Sequence, residues 1–128
     1  MATIERFEDI QAWQIARELT RQVYAATRKE PFARDYGLRD EVTRAAGSIM
    51  HNIAEGFDAE TNAEFVRFLG YAKRSCTEVQ SELYVAQDQA YFDHTTFKIL
   101  YDMAAEARAA IRGFMNYLRN NKRPQSGH

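Results

Sequence analysis

Apolar residues along this chain recur three and four positions apart, the spacing that gathers them on one side of a 3.6-residue helix. Nowhere do β-branched residues alternate with polar ones over the length a strand needs. The pattern is densest over Arg44–Gly56, R-A-A-G-S-I-M-H-N-I-A-E-G, which is apolar on one side, small in the middle and polar along a second line. It ends in Gly56, placed to stop a helix.

Four helices are predicted. The first covers residues 8–28, with Glu8 and Asp9 where negative charge favours a helix start. Trp13, Ala16, Thr20, Val23, Tyr24 and Thr27 share its inner face, with Ala12 and Leu19 at the edge. Pro31 and Gly37 then mark a short connection. The second covers 38–55, with Leu38, Val42, Ala45, Ala46, Ile49 and Ile53 as its core stripe. Gly47 within it costs about 1 kcal/mol relative to alanine, which implies a close neighbour at that point. The third covers 62–90 and opens on the capping box Thr61-Asn62-Ala63-Glu64. Its stripe runs through Phe65, Phe68, Leu69, Ala72, Cys76, Val79, Leu83, Ala86 and Ala90. The fourth covers 95–120, capped by Asp93 or a threonine, and buries Phe97, Leu100, Ala104, Ala107, Ile111, Met115 and Leu118. A loose tail over 121–128 follows. Short connections between long helices make this an all-α protein, an antiparallel up-and-down four-helix bundle in a single domain.

Composition narrows the function classes. A net charge of −1 gives no general pull toward nucleic acid or an anionic membrane, so either would need a local patch. Cys76 is the lone cysteine, which rules out an internal disulfide and fits a reducing cytoplasm; its place in a core stripe makes it a small buried hydrophobe. No segment approaches the roughly 18 apolar residues of a membrane span, and no basic-then-apolar leader precedes Phe7. A cytoplasmic protein is expected.

The chain offers little to catalysis. Di-iron bundles need Glu-x-x-His pairs, and none of His51, His94 or His128 has a glutamate three residues earlier. His51 and Glu55 stand one turn apart, but two ligands are too few for a metal. There is no phosphate-binding glycine loop and no G-x-S-x-G. The reading is a non-enzyme with no cofactor. Arg44, Ser48, Asn52 and Glu55, with Glu78 of the third helix, form a polar line read either as a binding surface or as a structural network; the network is favoured, because half-buried charges need partners. Arg17, Arg21 and Arg28 on the first helix and Arg67 and Arg74 on the third are either solvated faces or contacts for nucleic acid, the former being favoured.

The fourth helix carries more apolar surface than a bundle needs. Ile99, Met103, Ala110, Phe114 and Tyr117 make a second line beside its core stripe, and Tyr71, Tyr84, Tyr91 and Phe92 fall off or beyond the stripe of the third. Monomers rarely expose so large a patch. This predicts a subunit interface, with Ile99, Met103, Phe114, Tyr117, Tyr71 and Tyr84 as its candidates; the alternative is cover by residues 2–7 or the tail.

The motifs F-E-D-I-Q-A-W-Q-I-A (Phe7–Ala16), Tyr24, Tyr36-Gly37-Leu38, Arg44-Ala45-Ala46, Ser48-Ile49 and Asn52-Ile53-Ala54-Glu55-Gly56 occur in order. Glu64-Phe65, Arg67-Phe68-Leu69, Ala72, Ser75 and Glu78 follow. Together they resemble the proteins encoded in intervening sequences of bacterial 23S ribosomal RNA genes. The resemblance spans about Phe7 to Phe92. It implies a four-helix bundle that assembles as a ring-like homopentamer, with a biochemical role largely unassigned. A related branch, the accessory proteins of diversity-generating retroelements, binds a reverse transcriptase and nucleic acid through a basic pentamer surface. Met50, Gly47, Glu41, Thr43 and Arg74 depart from the family pattern, which favours proline, valine, glutamine, a basic residue and glycine there. Two expectations follow: a self-assembling interaction scaffold that binds itself and another protein, or an accessory protein that binds RNA or DNA through arginines gathered by assembly.

Overall fold

The structure, a computed structural model, describes residues 4–121 of the chain. Its elements are a 3-10 turn at Phe7–Asp9, helix α1 (Gln11–Thr27), a second 3-10 turn at Phe32–Arg34, and helices α2 (Tyr36–Phe57), α3 (Asn62–Asp88) and α4 (His94–Asn120). Among the described residues there is no strand. Each helix packs on the next, and α4 closes the ring against α1, which is the up-and-down arrangement predicted from the sequence. Of the tail expected over 121–128, Asn121 is described and residues 122–128 lie outside the described residues.

The core stripes predicted for α2 and α4 are buried at every position. In α1 the inner face is rotated from the sequence reading: Ala12, Ala16, Leu19, Val23 and Thr27 are buried, whereas Tyr24 is 43% exposed and Trp13 and Thr20 are half-buried. Thr20 explains the rotation, since its hydroxyl donates to the Ala16 carbonyl at 2.8 Å and also lies 3.2 Å from the Ala46 carbonyl of α2. A polar side chain thus sits on the seam and the aliphatic residues turn inward. α1 also starts later than the acidic residues suggested. Ile10 is extended, with φ −77° and ψ 120°, which drives its side chain into the core at 2% exposure. The Asp9 carboxylate accepts instead from the backbone amides of Glu5 and Arg6.

Side chains satisfy the helix starts. Asp35 accepts from the Leu38 amide at 3.1 Å, Thr61 from the Glu64 amide at 3.1 Å, and Asp93 from the Thr96 amide at 2.8 Å. Of the capping box at Thr61, Glu64 turns its carboxylate to Arg67. Asn62 reaches across the bundle end, its amide donating to the Leu118 and Asn121 carbonyls at the close of α4. α3 ends two residues before the sequence reading placed it. Ala90 takes the left-handed conformation at φ 62°, and the Ala90 and Tyr91 amides bond back to the Gln87 and Ala86 carbonyls. Those two bonds close the helix as a Schellman turn, with alanine where glycine is usual.

The glycines of α2 exchange the roles the sequence suggested. Gly56 does not stop the helix, which continues to Phe57. It is buried, and a Cβ there would meet Phe65 Cδ1 at 2.7 Å and Phe68 Cβ at 3.0 Å. A Cβ at Gly47 would meet nothing within 4 Å. Substitution should therefore separate the two positions. Gly56→Ala is expected to destabilise the protein by about 1–3 kcal/mol through overpacking. Gly47→Ala is expected to stabilise it by about 1 kcal/mol through helix propensity. Urea denaturation of both variants reads the two signs directly.

Candidate functional site

Three surfaces carry the polar chemistry of the bundle. The first is the seam between α2 and α3. Antiparallel packing sets Ser48 beside Ser75, their hydroxyls 3.1 Å apart, and the Asn52 amide donates to the Ser48 carbonyl and hydroxyl at 2.9 and 3.0 Å. Ser75 is 5% exposed, so this small network meets the hydrogen-bonding needs of a buried hydroxyl. The same register places Glu41 and Arg44 of α2 near Glu82 of α3, which also feels Glu78 one turn earlier on its own helix. Desolvation, then the negative charges of Glu41 and Glu78, push the Glu82 carboxyl up to about 7, and Arg44 only partly opposes them. Its Oε1 is buried with no hydrogen-bond partner.

The polar line read from the sequence therefore divides. Ser48 and Asn52 come together with Ser75, a residue the helical pattern could not single out because serine sits equally well on a wet face. Arg44 and Glu78 are exposed at the acidic end of the seam. Glu55 is also exposed and pairs with His51 at 3.0 Å on the outer face of α2.

The second surface is a groove of about 340 Å³ between α1 and α2, lined by Arg17, Thr20, Arg21, Tyr24, Arg28 and Met50. Arg17 lies over the Trp13 ring at 5.6 Å and Arg21 pairs with Glu18 at 3.2 Å. Arg67 and Arg74 are on α3 instead, over the rings of Phe68 and Tyr71, so one protomer does not gather all five arginines into a single groove.

The third is a groove of about 580 Å³ between α3 and α4. It is lined by Thr77 and Gln80 of α3 and by Ala105, Arg108, Ala109, Arg112, Gly113 and Asn116 of α4. Beside its α3 wall Tyr84, 50% exposed, packs its ring on Phe97 and Tyr101. Arg108 is near enough to influence the Cys76 thiol, yet burial dominates and pushes that thiol up to about 12. Cys76 is thus a core residue rather than a nucleophile.

On the remaining side, Ile99 and Tyr117 of α4 are exposed at 49% and 43%. Met103, Ala110 and Phe114 are half-buried against the core of their own protomer, and Phe114 meets Phe65 edge-on at 5.2 Å between centroids. Tyr71 is 38% exposed on α3. Tyr91 and Phe92 are half-buried: both pack on Phe32, and the Tyr91 hydroxyl donates to Asp35 at 2.8 Å. Among the described residues no three histidine, cysteine or carboxylate groups lie together as a metal site would require, and no helix is long and apolar enough to cross a membrane.

Four helices around one core, polar seams and open grooves define an antiparallel four-helix-bundle protein. Residues 8–113 match the family described as 23S rRNA-intervening sequence protein, and the chain belongs to that family. Among solved structures it is similar to a protein of unknown function from the S23 ribosomal protein family of Bacteroides thetaiotaomicron. The TM-score is 0.74 at 17% identity, over 81% of this chain and 97% of that one, a likeness of fold. No curated protein matches the chain.

The seam supports a pH test. A carboxyl whose value rises on folding holds its proton more tightly in the folded state. Its burden on stability is thus absent below the ordinary value of 4.5, grows as pH rises toward about 7, and is constant above that. Glu82→Gln should leave stability nearly unchanged at pH 4.5 and raise it at pH 8. Discounting for the half-exposed side chain, the gain is about 1 kcal/mol. Parallel denaturation curves at the two pH values check the sign and the size.

Proposed function

We propose that this protein is a non-enzymatic, cytoplasmic scaffold that acts as a cyclic homo-oligomer and binds its target through the assembled surface. The observation that carries this reading is the outer side of α4, where Ile99 and Tyr117 stand in solvent beside half-buried Met103 and Phe114. Side chains of this size are favourable to bury, at about 1.5–3 kcal/mol each when burial is complete. A single protomer leaves them at its surface. The resemblance to the intervening-sequence proteins makes a pentamer the specific form, with two different patches joined head to tail. Tyr71 and Tyr84, on opposite flanks of α3, suit such an arrangement because they cannot belong to one patch. Light scattering should return a multiple of 14.8 kDa; a mass of 14.8 kDa rejects the proposal. Ile99→Glu combined with Tyr117→Glu should lower the mass while leaving the helical circular dichroism spectrum intact.

A second reading, a nucleic-acid-binding accessory protein, draws on the α1–α2 groove. Its arginines Arg17, Arg21 and Arg28 share one cleft with exposed Tyr24. Phosphate contacts would make binding fall linearly with salt on logarithmic axes, and ring assembly would multiply a weak protomer site. Anisotropy with a labelled RNA should then show a salt slope that drops in Arg17→Ala/Arg21→Ala. No binding at about 50 mM salt eliminates this reading.

A further inference from the structure

The α3–α4 groove and the acidic end of the α2–α3 seam are each incomplete within one protomer, and their incompleteness is of opposite sign. Arg108 and Arg112 stand one turn apart along the groove, and among the described residues neither guanidinium has a carboxylate within ion-pair distance. Glu78 and Glu82 stand one turn apart on α3, joined by Glu41 from α2, and Arg44 only partly opposes them at Glu82. One oxygen of Glu82 is buried without a donor.

We infer that the α3–α4 groove of one protomer receives the Glu41–Glu78–Glu82 ridge of a second copy of this chain, joined head to tail. The inference rests on the self-assembly proposed above and adds a charged contact to the apolar one at Ile99 and Tyr117. Spacing supports the fit. Residues four apart on a helix are about 6 Å apart along its axis, so two glutamates can each face one arginine when the helices lie side by side. Arginine suits the role because its planar fork presents paired donors to a carboxylate. Steric room supports it too. Ala105, Ala109 and Gly113 recur every four residues along the α4 side of the groove and all are exposed. A second helix can approach that strip of small residues closely, within the 8–10 Å between axes typical of packed helices. Val85, 45% exposed one turn beyond Ser81 on the ridge side, supplies an apolar contact for the alanines.

Charge reversal tests this by complementation. The parent protein, Arg108→Glu/Arg112→Glu and Glu41→Arg/Glu78→Arg are compared by light scattering, with circular dichroism as the check of folding. The parent should be an oligomer, and each double variant should fall to 14.8 kDa because groove and ridge then carry like charge. An equimolar mixture of the two should regain mass of at least twice that value, since the ridge of each now suits the groove of the other. The single exposed variants Arg112→Glu and Glu78→Arg repeat the comparison should a double variant fail to fold. A parent oligomer whose reversed variants keep its mass, or lose it without recovery on mixing, overturns the inference and leaves self-assembly standing. A parent mass of 14.8 kDa removes self-assembly itself.

Discussion

The missing Cβ of Gly56 lets Phe65 and Phe68 rest directly against the end of α2. Much of the bundle's polar chemistry depends on that contact. α2 and α3 are joined by a short turn, so the point at which α3 first touches α2 sets the phase of the whole antiparallel seam. From Gly56 against Phe65 and Phe68, the register runs on to Ser48 against Ser75 and then to Glu41 and Arg44 against Glu82. Shifting it by one residue would rotate a buried hydroxyl onto apolar neighbours, where an unsatisfied polar group costs about 1–3 kcal/mol. Phe57 and Phe114 meet Phe65 edge-on from either side, which ties the chain end of α4 to the same contact.

The opposite end of the bundle is closed by different means. Asp35 caps α2 and accepts from the Tyr91 hydroxyl, while the Tyr91 ring stacks on buried Phe32 at 4.9 Å. One residue thus links the α1–α2 connection to the α3–α4 turn. The Tyr91 hydrogen bond, with the Leu38 amide, draws the Asp35 carboxyl below its usual range. Because Ala90 supplies the turn that aims Tyr91 at Asp35, the strain of a left-handed alanine is offset by an aromatic contact and a charge-assisted hydrogen bond.

Patterns within one helix were legible in the sequence; relations between helices were not. The stripes of α2 and α4 were readable because small and aliphatic residues at spacings of three and four have few other uses. Asp93 and Thr61 were readable as caps because their chemistry is local. α1 was read out of phase because Trp13, Tyr24 and Thr20 count as apolar or neutral in a periodicity yet can sit at a wet seam. Gly47 and Gly56 look alike in sequence, and only the packing distinguishes the open position from the crowded one. Glu82 went unread for the same reason, and Ser75 was named only through the family resemblance. Their significance lies in what the neighbouring helix brings to them, and a one-helix projection does not contain that information. Tyr91 and Phe92 were assigned to excess surface because their cover, Phe32, comes from a turn with no periodicity of its own.

A chain of net charge −1 need not have an even surface. α3 separates two fields. Toward α2 it shows Glu78 and Glu82, beside Glu41; toward α4 it borders Arg108 and Arg112. Such segregation is unfavourable in an isolated protomer. Burial first, and then the crowded carboxylates of Glu41 and Glu78, push the Glu82 carboxyl up to about 7, and the arginines forgo the pairing that the acids lack. Moving one glutamate across α3 would relieve both. Local stability therefore does not account for the arrangement, which is what the proposed head-to-tail contact requires. Head-to-tail contacts between unlike surfaces need complementary fields on different sides of the same molecule, whereas an isologous dimer would need a patch that complements itself. The charge pattern of α3 is of the first kind, as the proposed cyclic assembly needs.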